Sequence, residues 1–394
     1  MRRALLWIAA LAATTSFAQT PSHKHYEKPK EADKPSAKGE LAPRLQNLGS
    51  YAFPVTTKSK DAQLFVNQGV NLAYGFNHAE AGRAFREAAR LDPDCAMAHW
   101  GQALVLGPNI NVPMSPEDEP KAYEAAQKAV ALKSNASPRE QAYIDAVAQR
   151  YTGKAEDRKT RDRAYADAMG ELARRYPDDL DAATMYAEAL MDLRPWNYWT
   201  GDGHPYPETG DVIANLEKVL ARMPDHPGAT HYYIHAVEAT KSPEKAEAAA
   251  DRLLKLMPGA GHMVHMPSHI YQRVGRYADA QASNEAAIKA DEDYISQCRA
   301  QGIYPMAYYP HNIHFLWYAA TAEGRSQVAI DAARKTASRV SDELLTELPL
   351  LAGFRVVPYY ALTRFGRWDE MLAEPAPADR FLYLTGVWHY GRGL

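Results

Sequence analysis

Amphipathic runs separated by short turns recur along most of the chain. In residues 62–74 and 78–91, apolar side chains recur every three or four positions, which predicts two helices joined by a tight turn. Two further amphipathic runs, 213–223 and 246–257, are each followed by a proline, and these two prolines lie 34 residues apart. A fixed period of this length predicts stacked helical hairpins with one continuous core, not a series of independent globular domains.

A short signature accompanies these runs. Ala81, Phe85, Ala88 and Pro93 follow one another at intervals of four, three and five residues. This pattern resembles the tetratricopeptide repeat, whose second helix carries small and aromatic residues and a closing proline at such intervals. The resemblance implies an all-α fold, namely a right-handed α-solenoid of about eight tetratricopeptide-like helical hairpins with loop insertions, over residues 50–394. The same signature recurs around the turn glycines Gly275, Gly324 and Gly366.

Two insertions interrupt the repeats. Residues 107–116 widen the turn of the second hairpin, and residues 195–207 widen that of the fourth. The second insertion is rich in aromatic residues and proline, and we expect it to act as a lid. The last repeat is predicted to be incomplete, so that truncation or pairing with a second copy would explain its missing half. The predicted hairpins begin near Ala62, Ala96, Ser137, Leu180, Gly228, His262, His311 and Leu351.

Histidines recur on the first helices of three consecutive hairpins. Two pairs have a spacing of four, and the second pair lies 34 residues after the first. The third hairpin, aligned through its turn glycine, contributes His311 and His314. A seventh histidine, His262, lies three residues before His265 and is the counterpart of His311. Residues spaced by three and four share one helix face, and in tetratricopeptide arrays the first helices line the concave groove. One surface is therefore predicted to carry His231, His235, His262, His265, His269, His311 and His314.

Clustered imidazoles suggest a transition metal site. Two histidines at a spacing of four can chelate one ion, and imidazole together with carboxylate suits zinc, copper or iron. The predicted ligands are His231, His235, His265 and His269, completed or oriented by Glu238 or Glu188. A second ion site or an outer shell is predicted from His262, His311 and His314, again with Glu238 and Glu188.

Other functions compete with metal binding. A groove lined by histidine and tyrosine, with Tyr318, Gln272 and Trp199 along it, would suit a protein or peptide segment, or a small ligand. A metal-dependent hydrolase or oxidoreductase would use Glu238 or Glu188 as general base. The chain contains no His-Glu-x-x-His, no Gly-x-Ser-x-Gly and no phosphate-binding loop. A peptide-binding scaffold of an envelope complex, with incidental histidines, is the third alternative.

Pro267 stands between His265 and His269 and decides how the histidines face. A proline removes a backbone donor, so the helix is expected either to bend there or to begin there. In the second case His262 and His265 would lie on a loop. Met263 and Met266 each follow a histidine directly, so they point about 100° away around the helix and are predicted to be packing residues.

The N-terminal region predicts export. Residues 1–18 combine a basic start, a short apolar run and small residues before Gln19, as in a cleaved secretory signal peptide. We therefore expect a periplasmic or secreted protein with no transmembrane span after cleavage. Residues 19–49 are rich in Lys, Glu, Pro and Ser and are predicted to form a disordered polar tether.

Charge and cysteine content exclude further classes. The formal net charge is -3, and no basic block lies beyond the tether, which argues against a nucleic-acid partner. Cys95 and Cys298 are the only two cysteines and lie in different repeats. We expect free or buried thiols there, although an exported protein can form a disulfide.

Overall fold

The computed structural model describes residues 35–298 and 304–394, and all the regular secondary structure in these residues is helical. The predicted signal peptide, 1–18, lies outside the described residues. The chain divides into two compact units, one ending at Arg252 and the other beginning at Leu253. None of the described helices is long and apolar enough to cross a membrane.

The first unit is built from consecutive antiparallel helix pairs. Helix α1 packs on α2, α3 on α4, α5 on α6 and α7 on α8, as the eight-hairpin prediction requires. The helices are α1 (Lys60–Tyr74), α2 (His78–Leu91), α3 (Ala96–Leu106), α4 (Glu119–Ala131), α5 (Pro138–Gln149), α6 (Arg158–Arg175), α7 (Leu180–Asp192), α8 (Pro207–Arg222), α9 (Pro227–Val237) and α10 (Glu247–Leu256), which carries the boundary between the units.

The second unit continues the hairpins. Helices α11 and α12 both pack on α13, α14 packs on α15, and α15 packs in turn on α18. The helices are α11 (Gly261–His265), α12 (Pro267–Val274), α13 (Tyr277–Cys298), α14 (Tyr309–Ala322), α15 (Ser326–Ser338), α16 (Asp342–Glu347), α17 (Ala352–Arg355), α18 (Val357–Arg364), α19 (Trp368–Ala373) and α20 (Leu382–Gly393). One turn of π-helix, Tyr304–Tyr308, leads into α14.

Local sequence signals set the helix ends. At α5, the Ser137 hydroxyl accepts a hydrogen bond from the Glu140 backbone N–H while the Glu140 carboxylate accepts from that of Ser137, which is a complete capping box. Three first helices end in a glycine with positive φ, which L-residues with a side chain adopt only at a cost. These are the predicted turn residues Gly275, Gly324 and Gly366, with φ of 85°, 77° and 64°.

The segment predicted as a tether is ordered in its last part. The Leu41 N–H donates to Glu87 Oε2 at 2.9 Å, and the Leu45 N–H donates to Gln68 Oε1 at 2.9 Å. Ala42 and Leu48 are buried. Two apolar residues and buried side-chain acceptors on α1 and α2 thus hold residues 41–48 against the first hairpin, although their composition is polar. The tether residues 19–34 lie outside the described residues.

Helix α12 begins at Pro267, but the residues before it are helical as well. His262 and His265 belong to α11, and Met266 keeps helical angles, with φ −52° and ψ −37°. The alternative that placed these two histidines on a loop is wrong, because the missing proline N–H falls between two helical segments. Met263 and Met266 are completely buried, which confirms them as packing residues.

The interior of the first unit is filled where an open concave groove was expected. Helix α9 packs on α1, and a Cβ on Gly228 would lie 2.5 Å from the Tyr74 ring. The hydroxyls of Tyr51 and Tyr74 donate to Asp181 Oδ1 at 2.7 and 2.5 Å, and Nε2 of His226 lies 3.3 Å from the same oxygen. This buried network connects the first, fourth and fifth hairpins. Cys95 and Cys298 are both buried, as predicted.

Candidate metal centre

Three histidines of the second unit come together from three helices. His265 lies on α11, His269 on α12 and His311 on α14, and their possible ligand atoms all lie within 4.8 Å of one another. His265 and His269 are buried, whereas His311 is half-buried. Met266, which has helical angles, connects the helices of the first two, and the packing of α11 against α14 brings the third. We call these three residues the histidine trio.

The imidazoles of the trio face one another around one phenylalanine. Nε2 of His265 lies 2.9 Å from Nε2 of His269, and the His265 and His311 ring centroids are 4.8 Å apart. The Phe315 ring lies 4.5 to 4.7 Å from all three imidazoles. An apolar ring at this position excludes water from one side of the trio and lowers the local dielectric constant, so charge developing there is weakly screened.

Asn284 fixes the tautomer of His265. The Asn284 side-chain N–H donates to the Ala280 carbonyl at 2.7 Å, which turns Asn284 Oδ1 toward the imidazole. That oxygen lies 2.6 Å from His265 Nδ1. Because a carbonyl oxygen can only accept, His265 Nδ1 carries the hydrogen and the neutral ring presents a lone pair at Nε2. Outer contacts of this kind orient metal-ligating histidines.

A buried carboxyl group anchors the helices that carry the trio. Asp291 on α13 accepts from the Tyr304 hydroxyl at 2.9 Å and from the Asn312 side-chain N–H at 2.7 Å. The same Tyr304 oxygen accepts from the His262 backbone N–H at 2.9 Å. Burial raises the pKa of Asp291 to about 7. Gly261 makes room for this network, because a Cβ there would lie 1.9 Å from Asp291 Oδ1.

The other predicted residues of the second unit have different surroundings. The His262 ring faces Tyr308 at 4.8 Å and lies 5.8 Å from the His265 ring. His314 packs against Trp317 at 5.0 Å and Phe354 at 5.4 Å. Burial lowers the pKa of His314 to about 4, so its imidazole stays neutral. The structure thus places His314 apart from the trio, and Gln272 and Tyr318 are half-buried.

The first unit holds the other histidine pair. Nδ1 of His231 lies 2.6 Å from the Tyr74 carbonyl oxygen, and Nδ1 of His235 lies 2.8 Å from Glu238 Oε1. Both partners are acceptors, so both rings carry the hydrogen on Nδ1 and a lone pair on Nε2. Phe76 packs on both imidazoles, with centroids 4.6 and 6.0 Å away. The four histidines predicted as one ligand set are therefore divided between the units, two in each.

The insertion at 195–207 lies against the helix of this first pair. The Trp199 indole N–H donates to the Ala236 carbonyl at 2.8 Å, and the Lys241 ammonium donates to the Asp202 carbonyl at 3.1 Å. The Trp196 ring meets the His235 ring edge-on at 5.0 Å. The predicted lid thus covers His235, while Trp199 anchors it to α9.

Glu188 belongs to a buried polar cluster that the sequence did not reveal. Arg150, directly after α5, donates to Asp162 at 2.9 Å and to Asp192 at 2.7 Å. Burial, followed by the charge of Asp192, raises the pKa of Glu188 well above its ordinary value. A protonated carboxyl group is a poor metal ligand and a poor general base. The only sequence signal was the spacing of four between Glu188 and Asp192, because Arg150 lies two helices earlier.

Comparisons with known proteins add little to these observations. No family model and no curated protein matches the sequence. Three similar solved structures are PilW, described as a widely conserved type IV pilus biogenesis factor, yeast Tom70, and the TPR domain of P58(IPK). Their sequence identities are 14%, 10% and 14%, with TM-scores of 0.33, 0.28 and 0.23. The matches cover 74%, 85% and 84% of this chain, and 99%, 90% and 88% of the other chains.

At such scores the fold has to be assigned from the chain itself. The paired antiparallel helices and the three glycine turns at the ends of first helices are the features that the tetratricopeptide resemblance implied. The protein is an all-α solenoid of tetratricopeptide-like helical hairpins.

Proposed function

We propose that the protein is an exported helical-repeat scaffold whose second unit binds one divalent transition metal ion through His265, His269 and His311. The observation that carries the proposal is the convergence of three imidazoles from three helices, with all ligand atoms within 4.8 Å of one another. Three histidines with one position left open form an established arrangement for zinc, and imidazole also suits copper and iron.

The distances in the trio suit coordination after small side-chain rotations. Metal–nitrogen bonds of about 2.0–2.1 Å at tetrahedral angles separate two ligand nitrogens by roughly 3.3 Å. Nε2 of His265 and Nε2 of His269 lie 2.9 Å apart, so they need to separate by a few tenths of an ångström. The hydrogen in this contact belongs to His269, because Nε2 of His265 carries a lone pair, so metal binding requires the neutral His269 ring to carry its hydrogen on Nδ1 instead.

Asn284 supports metal binding over simple polar packing. It holds the His265 hydrogen on Nδ1, the nitrogen away from the trio, and its own amide is oriented by the Ala280 carbonyl. A packing histidine needs no such two-step orientation, whereas a metal ligand commonly has it.

Elemental analysis of the mature full-length protein, purified without a histidine tag, tests the proposal. After exposure to zinc, copper or iron, we expect the double variant His265→Gln, His269→Gln to hold about one equivalent of metal less than the wild type. His314→Gln is the matched control, because His314 is a half-buried histidine on the helix of His311 but packs on Trp317 and Phe354. Absence of stoichiometric metal in the wild type, or an unchanged content in a folded double variant, would contradict the proposal.

The other functions suggested by the sequence have less support. The carboxylates considered as general bases are engaged elsewhere, since Glu238 holds His235 and Glu188 has a raised pKa. Trp199, expected along a peptide groove, hydrogen-bonds to the backbone of α9. We therefore propose binding of a metal ion and not catalysis. Export is part of the proposal, and N-terminal sequencing of secreted or periplasmic protein should find Gln19 first.

A further inference from the structure

We propose that His231 and His235 of the first unit form a second metal-binding position, which is covered by Trp196. It lies in a different unit from the histidine trio and uses none of its residues. The inference therefore does not depend on the site proposed above.

The hydrogen bonds of the pair present two metal-binding nitrogens. The Tyr74 carbonyl and the Glu238 carboxylate accept from Nδ1 of His231 and His235, at 2.6 and 2.8 Å. Both Nε2 atoms consequently carry lone pairs, and the two rings lie 4.9 Å apart on consecutive turns of α9. A backbone carbonyl and a carboxylate are the two commonest outer partners of metal-ligating histidines. Such a partner on each of two histidines spaced by four favours a metal site over incidental packing.

The charge beside the two histidines also suits a bound cation. His231 and His235 are themselves neutral ligands, and Glu238 contributes a negative charge one hydrogen bond away. Its carboxylate increases the basicity of His235 and partly compensates the charge of a bound ion. Among divalent ions the affinity of such a nitrogen site is highest for Cu²⁺.

Trp196 covers the pair from the solvent side. Its ring is 38% exposed, whereas His235 behind it is 2% exposed. Trp196 has a φ of 62°, a conformation that a bulky residue adopts only under constraint, and such strain concentrates at ligand clamps. The rest of the insertion is held by Trp199 on the Ala236 carbonyl and by Thr209 on the Tyr198 carbonyl. Trp196, the strained and exposed residue, is thus the one that contacts His235, one of the two proposed metal ligands.

Tryptophan fluorescence of the full-length protein during a Cu²⁺ titration tests this inference, because a paramagnetic ion quenches an indole ring in its neighbourhood. We expect a saturable quenching component that is absent in Trp196→Phe and in the double variant His231→Gln, His235→Gln. The same component should persist in His265→Gln, His269→Gln, which removes the trio and leaves the first unit intact.

Glu238→Gln provides a milder variant, should the double variant fail to fold. It removes the negative charge while keeping an acceptor for His235 Nδ1, and we expect affinity for Cu²⁺ to fall about 10-fold or more. The inference is overturned if wild-type protein shows no saturable component from Trp196, or if Glu238→Gln leaves its midpoint unchanged. Failure of the trio appears separately, as a metal content that the double variant His265→Gln, His269→Gln leaves unchanged while the Trp196 component remains.

Discussion

The two histidine pairs share a spacing and a repeat position but differ in what surrounds them. In the first unit, His231 and His235 each donate to their own acceptor and lie under the Phe76 ring. In the second unit, His265 faces His269 directly at 2.9 Å, and His311 adds a third imidazole. The first pair is held by Tyr74 from the first hairpin and by Glu238 directly after its own helix. The second pair is joined by His311 from α14, the first helix of the next hairpin.

The contrast shows that spacing in the sequence places two histidines on one helix face, whereas tertiary packing determines which groups surround them. Two histidines four residues apart always share a helix face. What contacts the pair within its own unit depends on the side chains that the neighbouring first helix presents. In the first unit that neighbour is α1, which presents Tyr74 and Phe76 at its end. In the second unit it is α14, which presents His311 and Phe315.

The largest expected effects come from the glycines that let these helices approach. Gly228→Ala in the first unit would place a methyl group 2.5 Å from Tyr74, and Gly261→Ala in the second would place one 1.9 Å from Asp291. Overpacking of this kind costs about 3 kcal/mol. Urea unfolding should show a lower free energy of unfolding in each variant. Gly210→Ala is the control, because its Cβ meets nothing within 4 Å and alanine favours helix α8. Equal stability of all three variants would remove the packing argument.

An intermediate effect is expected from the groups that orient the rings. Asn284→Leu removes the acceptor of His265 Nδ1, and we expect affinity of the trio to fall about 10- to 100-fold, or roughly 1.4–2.7 kcal/mol. Competition with a colorimetric zinc chelator measures this change, and Glu238→Gln supplies the corresponding comparison in the first unit. If Asn284→Leu folds and binds as tightly as wild type, the fixed tautomer has no role in binding.

A smaller effect is expected from acid. Burial lowers the pKa of His314 from its ordinary 6.5 to about 4. The unfolded chain therefore takes up a proton between these values while the folded chain does not, and stability is lost as the pH falls through 6.5 toward 4. For this residue the loss between pH 7 and 5.5 is about 1 kcal/mol. His314→Gln should flatten that part of the stability profile, measured by urea unfolding at each pH, and an unchanged slope would contradict it.

The first unit has a counterpart to this acid effect in His78. Burial lowers the pKa of His78 to about 4 as well, with the Arg150 charge as the second cause. Asp291 acts in the opposite direction in the second unit, because a raised pKa of about 7 means that stability falls as the pH rises from its ordinary 3.8 toward 7. The pH dependence of stability should therefore differ most between the two units at pH 4 to 7. In this range Asp291→Asn would remove the loss of stability from the second unit alone.

Residues close together in the sequence accounted for most of what could be predicted. The eight hairpin starts, the turn glycines, the packing of Met263 and Met266 and the buried cysteines all follow from periodicity and backbone preference. The contact of the 195–207 insertion with α9 was not predicted, because its partners Ala236 and Lys241 lie 37 and 39 residues from the residues that they bind. The ordered conformation of residues 41–48 was not predicted. A polar segment gains its hydrogen-bond partners only when the buried acceptors on α1 and α2 are already in place.

The sequence by itself determined the helical hairpins, their period and the two histidine pairs with a spacing of four, because these depend on contacts within one or two helical turns. Tertiary structure alone decided the rest. It joined His311 to His265 and His269, set His314 apart, and buried Glu188 with Asp192 and Arg150. It also set the tautomers, through Asn284 at 19 residues from His265 and Tyr74 at 157 from His231. Such partners meet only through the packing of different helices, which no local pattern records.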